Sequence, residues 1–251
     1  MAYIFETHLH TCQASACGVA RGRDYIDYMT KEGFDGFIVT DHFFNGNSAV
    51  PGDLPWEQRV DMYMSGYEEA LTEAKGHDIT VLFGIEYNFQ GDEYLIYGPG
   101  REWLLDNPDI LEQDRQEVYR RVHEGGGIMV QAHPYRERGY LSAIHLTPSI
   151  CDGIEVYNAA NKPNMNALAY EYAKELKLPM TAGSDIHYMY DGDKGAMLLE
   201  ERPETTKDYA DMLLAGKAKC VVVRQCVPIE LEEIEEQIRI EHGPELPVIK
   251  H

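Results

Sequence analysis

The chain has 251 residues, 44% of them hydrophobic, which suits one large α/β domain with a sizeable core and excludes a disordered chain. Acidic residues outnumber basic ones 43 to 22, for a formal charge of −21, so nonspecific binding to a nucleic-acid duplex is disfavoured. A small phosphorylated substrate stays open, because bound cations reverse the field inside a pocket.

No apolar run approaches bilayer length, and Met1–Glu6 lacks the basic and apolar regions of a signal peptide. The five cysteines (Cys12, Cys17, Cys151, Cys220 and Cys226) are odd in number and include no C-x-x-C pair, so neither a disulfide framework nor a zinc knuckle is expected. The expected setting is cytoplasmic.

Tyr3-Ile4-Phe5 reads as a strand running into Glu6-Thr7-His8-Leu9-His10-Thr11. Strand side chains alternate between faces, so His8 and His10 point the same way and can chelate one cation. For an isolated H-x-H pair, chance is the better explanation. After a loop, a helix is expected from Asp24 to Gly33, with Ile26 and Met29 inward. Gly36–Thr40 is a buried strand ending in Asp41-His42. Residues 43–56 read as a loop, followed by a helix carrying Val60, Tyr63, Tyr67, Leu71 and Ala74 at helical spacing and stopped by Gly76. Ile79–Phe83 is a strand that ends in Gly84-Ile85-Glu86, and a weaker strand follows at Tyr94–Tyr97.

Leu111, Val118 and Val122 suggest a helix closed by Gly125-Gly126-Gly127. Ile128–Val130 is a strand running into Gln131-Ala132-His133-Pro134, and Gly153–Asn158 is another. The next helix has Pro163 in its first turn and Met165, Leu168, Tyr172 and Leu176 on one face. Met180–Ala182 leads to Gly183-Ser184-Asp185-Ile186-His187. The chain closes with a helix at 206–215, a strand at Lys219–Val223 and a Glu-rich helix from Ile229 to Ile240. Alternation of strand and helix from end to end predicts a parallel sheet or a closed α/β barrel over residues 1–251.

The strand ends carry His8 and His10, Asp41-His42, Glu86, His133, Asp185 and His187, and five of the ten histidines fall there. In an α/β barrel such ends gather at one rim. Histidine with carboxylate suits Zn, Mn or Fe, in number enough for two or three ions, with Glu86 as a bridging carboxylate. Asp41 is expected to orient a ligand histidine, since metal-bound imidazoles donate their other N–H to such a group. Arg136 is a candidate phosphate grip through its planar fork, with a surface ion pair as the alternative. Asn158 is a candidate for the cavity wall, or else a turn cap. Glu155 points to the barrel interior or to a helix end.

Five stretches carry a resemblance: Thr7–Thr11, Thr40–His42, Gly84–Glu86, Ala132–Pro134 and Gly183–His187. In that order they resemble the PHP (polymerase and histidinol phosphatase) superfamily. The resemblance implies a distorted (β/α)7 TIM-like barrel and two or three divalent transition metal ions held by His8, His10, His42, Glu86, His133, Asp185 and His187. It also implies phosphoester hydrolysis. Members with three metals usually place an Asp or His shortly after the H-x-H pair; here Cys12–Gly18 holds none, which leaves Cys17 or water as the substitute, or a weakly held third ion, as the alternatives. Many also have a His on the short strand after the glutamate. Here Asp92 and Glu93 stand in that region; either could serve in place of that His, with a solvated turn as the simpler role for both.

The expected activity is hydrolysis of a small phosphomonoester by a metal-activated water, in the manner of histidinol phosphatases. A short-oligonucleotide exonuclease or phosphodiesterase is the alternative within the family, and a metal-stabilised non-catalytic interaction domain the alternative outside catalysis. No long nucleic acid and no membrane is expected as a partner.

Overall fold

The computed structural model describes residues 2–251. The centre of the fold is β1 (Tyr3–Leu9), buried from Ile4 onward although it carries Glu6, Thr7 and His8. It pairs in parallel with β2 (Gly36–Val39), and β2 in parallel with β3 (Thr80–Phe89). The Phe5 ring lies across β2: a Cβ on Gly36 would stand 2.3 Å from Phe5 Cε1 and 2.7 Å from the Thr80 carbonyl oxygen, so only glycine fits there.

The strand β3 does not stop at Glu86. Its regular register with β2 ends at Phe83, a parallel bridge joins Glu86 to His42, and the strand runs on to Phe89 paired with β4 (Asp92–Tyr97), which returns antiparallel after Gln90-Gly91. β4 pairs antiparallel with β5 (Ile128–Gln131). A short strand β6 (Ile144–Leu146) precedes β7 (Gly153–Asn158), which pairs in parallel with β5 and with β8 (Met180–Gly183). β9 (Lys194–Leu199) pairs antiparallel with β1 and with β10 (Ala218–Arg224), and β10 with β11 (Val227–Glu230). The result is a ten-stranded mixed sheet in the order β11-β10-β9-β1-β2-β3-β4-β5-β7-β8.

The sheet curls until β8 meets β1 again. Thr7 Oγ1 donates to Ala182 O at 2.9 Å, His10 N to Ile186 O at 2.8 Å, and Ile186 N to His8 O at 3.1 Å. The curl encloses an apolar core that includes Phe5, Ile38, Leu82, Val130, Val156 and Met197. This is an α/β fold built on a curled mixed sheet, in which β4, β9 and β11 run against the other strands.

Helices cover the outer face. α1 (Tyr25–Lys31) and α2 (Trp56–Glu73) bury Ile26, Met29 and Ala70 against Phe37 and Val81. Leu71 of α2, expected inward, is exposed; the buried face runs through Val60, Tyr63, Met64, Gly66 and Ala70. α3 (Arg101–Asp106) lies in a stretch whose apolar spacing gives no helical signal, and α4 (Arg115–Glu124) starts at Asp114, whose side chain accepts from Glu117 N at 2.9 Å. In α5 (Pro163–Leu176) the buried positions are Asn166, Ala167, Ala169, Tyr170, Tyr172 and Ala173, with Met165 and Leu168 only partly covered. Asn166 pulls that face inward by bonding both the N–H and the C=O of Asn158. α6 (Thr206–Leu214) opens on a capping box between Thr205 and Asp208, a device worth about 1 kcal/mol.

The Glu-rich C-terminal segment departs from its expected helix. Ile229 pairs with Val222 as a strand, Leu231 and Ile234 are buried, and only the four residues of α7 (Glu235–Ile238) are α-helical. Ladder pairing with β10 takes the segment's start, Val227–Glu230, and the glutamates after it form a short 3-10 turn (Leu231–Glu233) and α7. The last strand, β12 (Val248–Lys250), pairs in parallel with β6.

Candidate metal centre

The β1–β8 closure brings the two ends of the sequence pattern to one point. His8 Nε2 lies 3.2 Å from Glu86 Oε1 and 3.5 Å from Asp185 Oδ1. His10 Nε2 lies 3.1 Å from Asp185 Oδ1 and 3.5 Å from Glu86 Oε2. His133 Nε2 is 3.3 Å from Glu86 Oε1, and His42 Nδ1 is 2.6 Å from Glu86 Oε2. The His187 ring stacks on His10 with centroids 4.3 Å apart. All seven residues singled out from the sequence therefore meet in one cluster, six of them buried and His187 partly open.

Within it, four sets of three residues each offer donor atoms within 4.8 Å of one another: His8–Glu86–His133, His8–His10–Asp185, His10–His42–His187 and His42–Glu86–Glu93. Glu86 reaches two of these sets through different oxygens, as a bridging carboxylate would. His8 Nε2, His42 Nδ1 and Glu86 Oε2 are buried without a hydrogen-bond partner. The 2.6 Å between His42 Nδ1 and Glu86 Oε2 is a close approach out of hydrogen-bond alignment. Buried polar atoms left this way are costly unless something else sits between them. Charge argues likewise. Six carboxylates are buried (Glu6, Asp41, Glu86, Glu93, Glu155 and Asp185), whereas Lys194 is the one buried Lys or Arg among the described residues, and it is committed to Glu32 at 2.8 Å. The donors and the surplus negative charge both fit divalent cations.

Burial opposes charge on His42, but Glu86 outweighs it and lifts its pKa to about 11. Burial and the neighbouring His42 push His10 down to about 3. Glu86 is held well below the usual carboxylate range despite its burial, by His42 and His8.

Behind the cluster stands Glu155, which the sequence left between two orientations. It faces inward: Oε1 meets His8 Nδ1 at 2.9 Å, while Oε2 accepts from His133 N at 2.9 Å and Asn158 Nδ2 at 3.0 Å. Alternation with Ile154 and Val156 was its only signal in the sequence. β8 packs so closely on this side that a Cβ on Gly183 would stand 2.7 Å from His8 Cβ and 3.1 Å from Glu155 Oε1. Glu6 lies alongside, accepting from His8 N and Ser184 N, and burial raises its carboxyl to about 7.

Asp41 bonds no histidine ring. It accepts from Thr11 N, Thr11 Oγ1 and Ser15 Oγ at 2.6, 2.7 and 2.6 Å, and Ser15 Oγ in turn contacts His10 Nδ1 at 3.1 Å. Asp41 thus acts on His10 one residue removed. Ser15 was not recognisable in the sequence, because serines in a loop carry no periodicity.

Glu93 is not a solvated turn. It is buried, with Oε1 4.0 Å from His42 Nδ1 and Oε2 3.6 Å from His133 Nε2. Its neighbour Asp92 alternates away and pairs with Arg115. Cys17 sits at the rim beside His187 and His42; burial opposes ionisation, but the two rings bring its thiol down to about 6.

Arg136 is turned into the site, its Nη1 on Asp185, its Nε on Asn161 Oδ1 and its Nη2 on Asn158 Oδ1, the last two at 2.6 Å. Asn158 is fully buried behind Arg136 and Glu155 rather than on the cavity wall, its side chain spent on Arg136, Ala160 N and Glu155. Above the cluster opens a cavity of about 650 Å³ lined by His42, His187, Asp185, Arg136, Arg138 and Tyr140 among others.

Residues 6–219 match the family model of the PHP domain. The chain belongs to the PHP domain family. No curated protein matches it. Among solved structures, a two-domain protein from Bacteroides vulgatus containing a predicted PHP-like metal-dependent phosphoesterase superposes with a TM-score of 0.65 at 15% identity. The match covers 88% of this chain and 64% of that one, so this PHP chain spans less than two thirds of that relative. A candidate metal-dependent phosphoesterase from Bifidobacterium adolescentis gives 0.51 at 17% identity, over 74% of this chain and 88% of the other. A lesion-specific endonuclease from Pyrococcus furiosus gives 0.56 at 11% identity, over 88% and 58%. These likenesses establish the PHP fold. Among the described residues no helix is long and apolar enough to cross a membrane.

Proposed function

We propose that this PHP protein is a metal-dependent phosphoesterase acting on a small phosphomonoester, with His8, His10, His42, Glu86, His133, Asp185 and His187 as ligands of two or three Zn, Mn or Fe ions. The observation that carries the reading is the set of buried, partnerless donor atoms, His8 Nε2, His42 Nδ1 and Glu86 Oε2, converging beneath the cavity. When bound, the ions supply Lewis acidity toward a phosphoryl group and acidify a water.

The chain's own residues do the rest. Glu155 holds His8 with its Nδ1 side occupied, leaving Nε2 as the free donor. Arg136 fixes Asp185, and of its five N–H groups three are engaged, which leaves two for a phosphoryl oxygen. Asn158 keeps a substrate role only indirectly, by holding that guanidinium. The cavity volume of about 650 Å³ suits a small ligand, and the charge of −21 disfavours a long polyanion. The free cysteines accord with a reducing, cytoplasmic setting. The reading takes residues 1–251 as one domain.

The test is elemental analysis of the purified protein, followed by hydrolysis of an aryl phosphate and of a bis-aryl phosphate before and after chelation. Two or three bound equivalents, with monoester hydrolysis lost on chelation and restored by added metal, support the proposal. Faster diester hydrolysis would favour the phosphodiesterase alternative. Full activity in metal-free protein would refute the mechanism.

A further inference from the structure

We infer that Glu93 is itself a ligand, and that it makes one ion position oxygen-rich and selective for a harder cation such as Mn2+. The inference rests on the metal-dependent reading above and extends it to which ion goes where. Three of the donor sets are dominated by imidazole: His10–His42–His187 entirely, and His8–Glu86–His133 and His8–His10–Asp185 by two rings to one carboxylate. The fourth, His42–Glu86–Glu93, reverses the ratio, with two carboxylates to one ring. Imidazole suits Zn, whereas carboxylate oxygen suits Mn and Mg, so neighbouring positions in one cluster differ in their preferred metal.

Two observations show that the fourth set is aimed at an ion rather than being a chance of acidic residues. His42 Nδ1 and Glu86 Oε2 are both buried and both lack a hydrogen-bond partner. Glu93 is also anchored as a ligand carboxylate should be. Its Oε2 accepts from Arg138 Nη2 at 3.1 Å, and its Oε1, the oxygen facing His42, accepts only from Asn88 Nδ2 at 3.2 Å, which leaves a lone pair free. Arg138 is in turn held by the Tyr140 hydroxyl at 3.0 Å. A guanidinium beside a ligand carboxylate offsets its charge and competes with the ion for it. Arg138 therefore sets how tightly the oxygen-rich position binds.

That competition gives a test that does not depend on the rate of hydrolysis. Metal-free protein is titrated with Mn2+, free Mn2+ is read by electron paramagnetic resonance, and the titration is repeated with Zn2+ competing and bound equivalents counted by elemental analysis. Glu93→His should raise the Zn-over-Mn preference of one equivalent at least tenfold. Arg138→Gln, which leaves all donors in place and sits at the cavity wall, should tighten Mn2+ binding several-fold. If Arg138→Gln leaves Mn2+ affinity within twofold and folded Glu93→His keeps the wild-type metal ratio, Glu93 is an ion-pair partner only and the inference falls. Wild-type protein that takes up neither ion would overturn the metal-dependent reading itself, a result distinct from the first.

Discussion

Replacing Glu155 by glutamine keeps its volume and removes only its charge and symmetry. The carboxylate faces three donors: the His8 ring at 2.9 Å, His133 N at 2.9 Å and Asn158 Nδ2 at 3.0 Å. An amide has one oxygen for two sides. With its NH2 toward His8, the ring must present a lone pair at Nδ1 and carry its proton on Nε2, which cancels the donor that points at Glu86 and Asp185. With its NH2 toward His133, a buried backbone N–H loses its acceptor, at a cost of about 1–3 kcal/mol. Either way the carboxylate that makes His8 a stronger donor is gone. Loss of such a partner typically weakens metal binding about 10- to 100-fold, or about 1.4–2.8 kcal/mol. Chelator-competition titration of Glu155→Gln against wild type measures this directly, with thermal melts of the metal-free proteins as the control for folding. Glu155→Asp, which restores the charge at shorter reach, should recover part of the loss. A folded Glu155→Gln that binds metal within twofold of wild type would show that the His8–Glu155 contact is only packing.

Ser15→Ala removes a hydroxyl that serves Asp41, His10 and His42 N together. It should cost about 1–3 kcal/mol in denaturant unfolding, because buried groups lose their partner, and should weaken metal binding at His10. Arg136→Ala frees Asp185 and takes away two N–H groups at the cavity. It should raise KM for a phosphomonoester about tenfold or more, and an unchanged KM would return Arg136 to a purely structural role.

Much of the centre was legible because strand alternation turns a polar residue in an apolar strand into a signal. His8 with His10 and Asp185 with His187 keep that two-residue spacing, and the structure brings both pairs to one point. What could not be read depends on contacts between distant segments. Glu155 could be placed only once β7 lay behind β1, and Glu93 only once the Gln90-Gly91 turn folded β4 back on β3. The same limit applied to the fold. Lys194–Leu199 has no alternation, being buried on both faces except at Leu198, so β9 gave no strand signal. The acidic run near the C-terminus has the composition of a helix, but its first residues are taken up by pairing with β10 and only short helical turns follow.

The curl that sets His10 against Asp185 joins positions 175 residues apart. Closing a chain loop of that size costs about 4–5 kcal/mol in entropy before any contact is made. The donor sets that include Asp185 or His187 cannot assemble on a partial chain until β8 and the segment after it have emerged, whereas His42–Glu86–Glu93 lies wholly within earlier residues. On the proposed metal-dependent reading, capture at the His8–His10–Asp185 set follows the non-local pairing that limits folding speed. On the same reading, an ion shared by His10 and Asp185 would also hold the curl shut, which would couple metal loading to closure of the sheet.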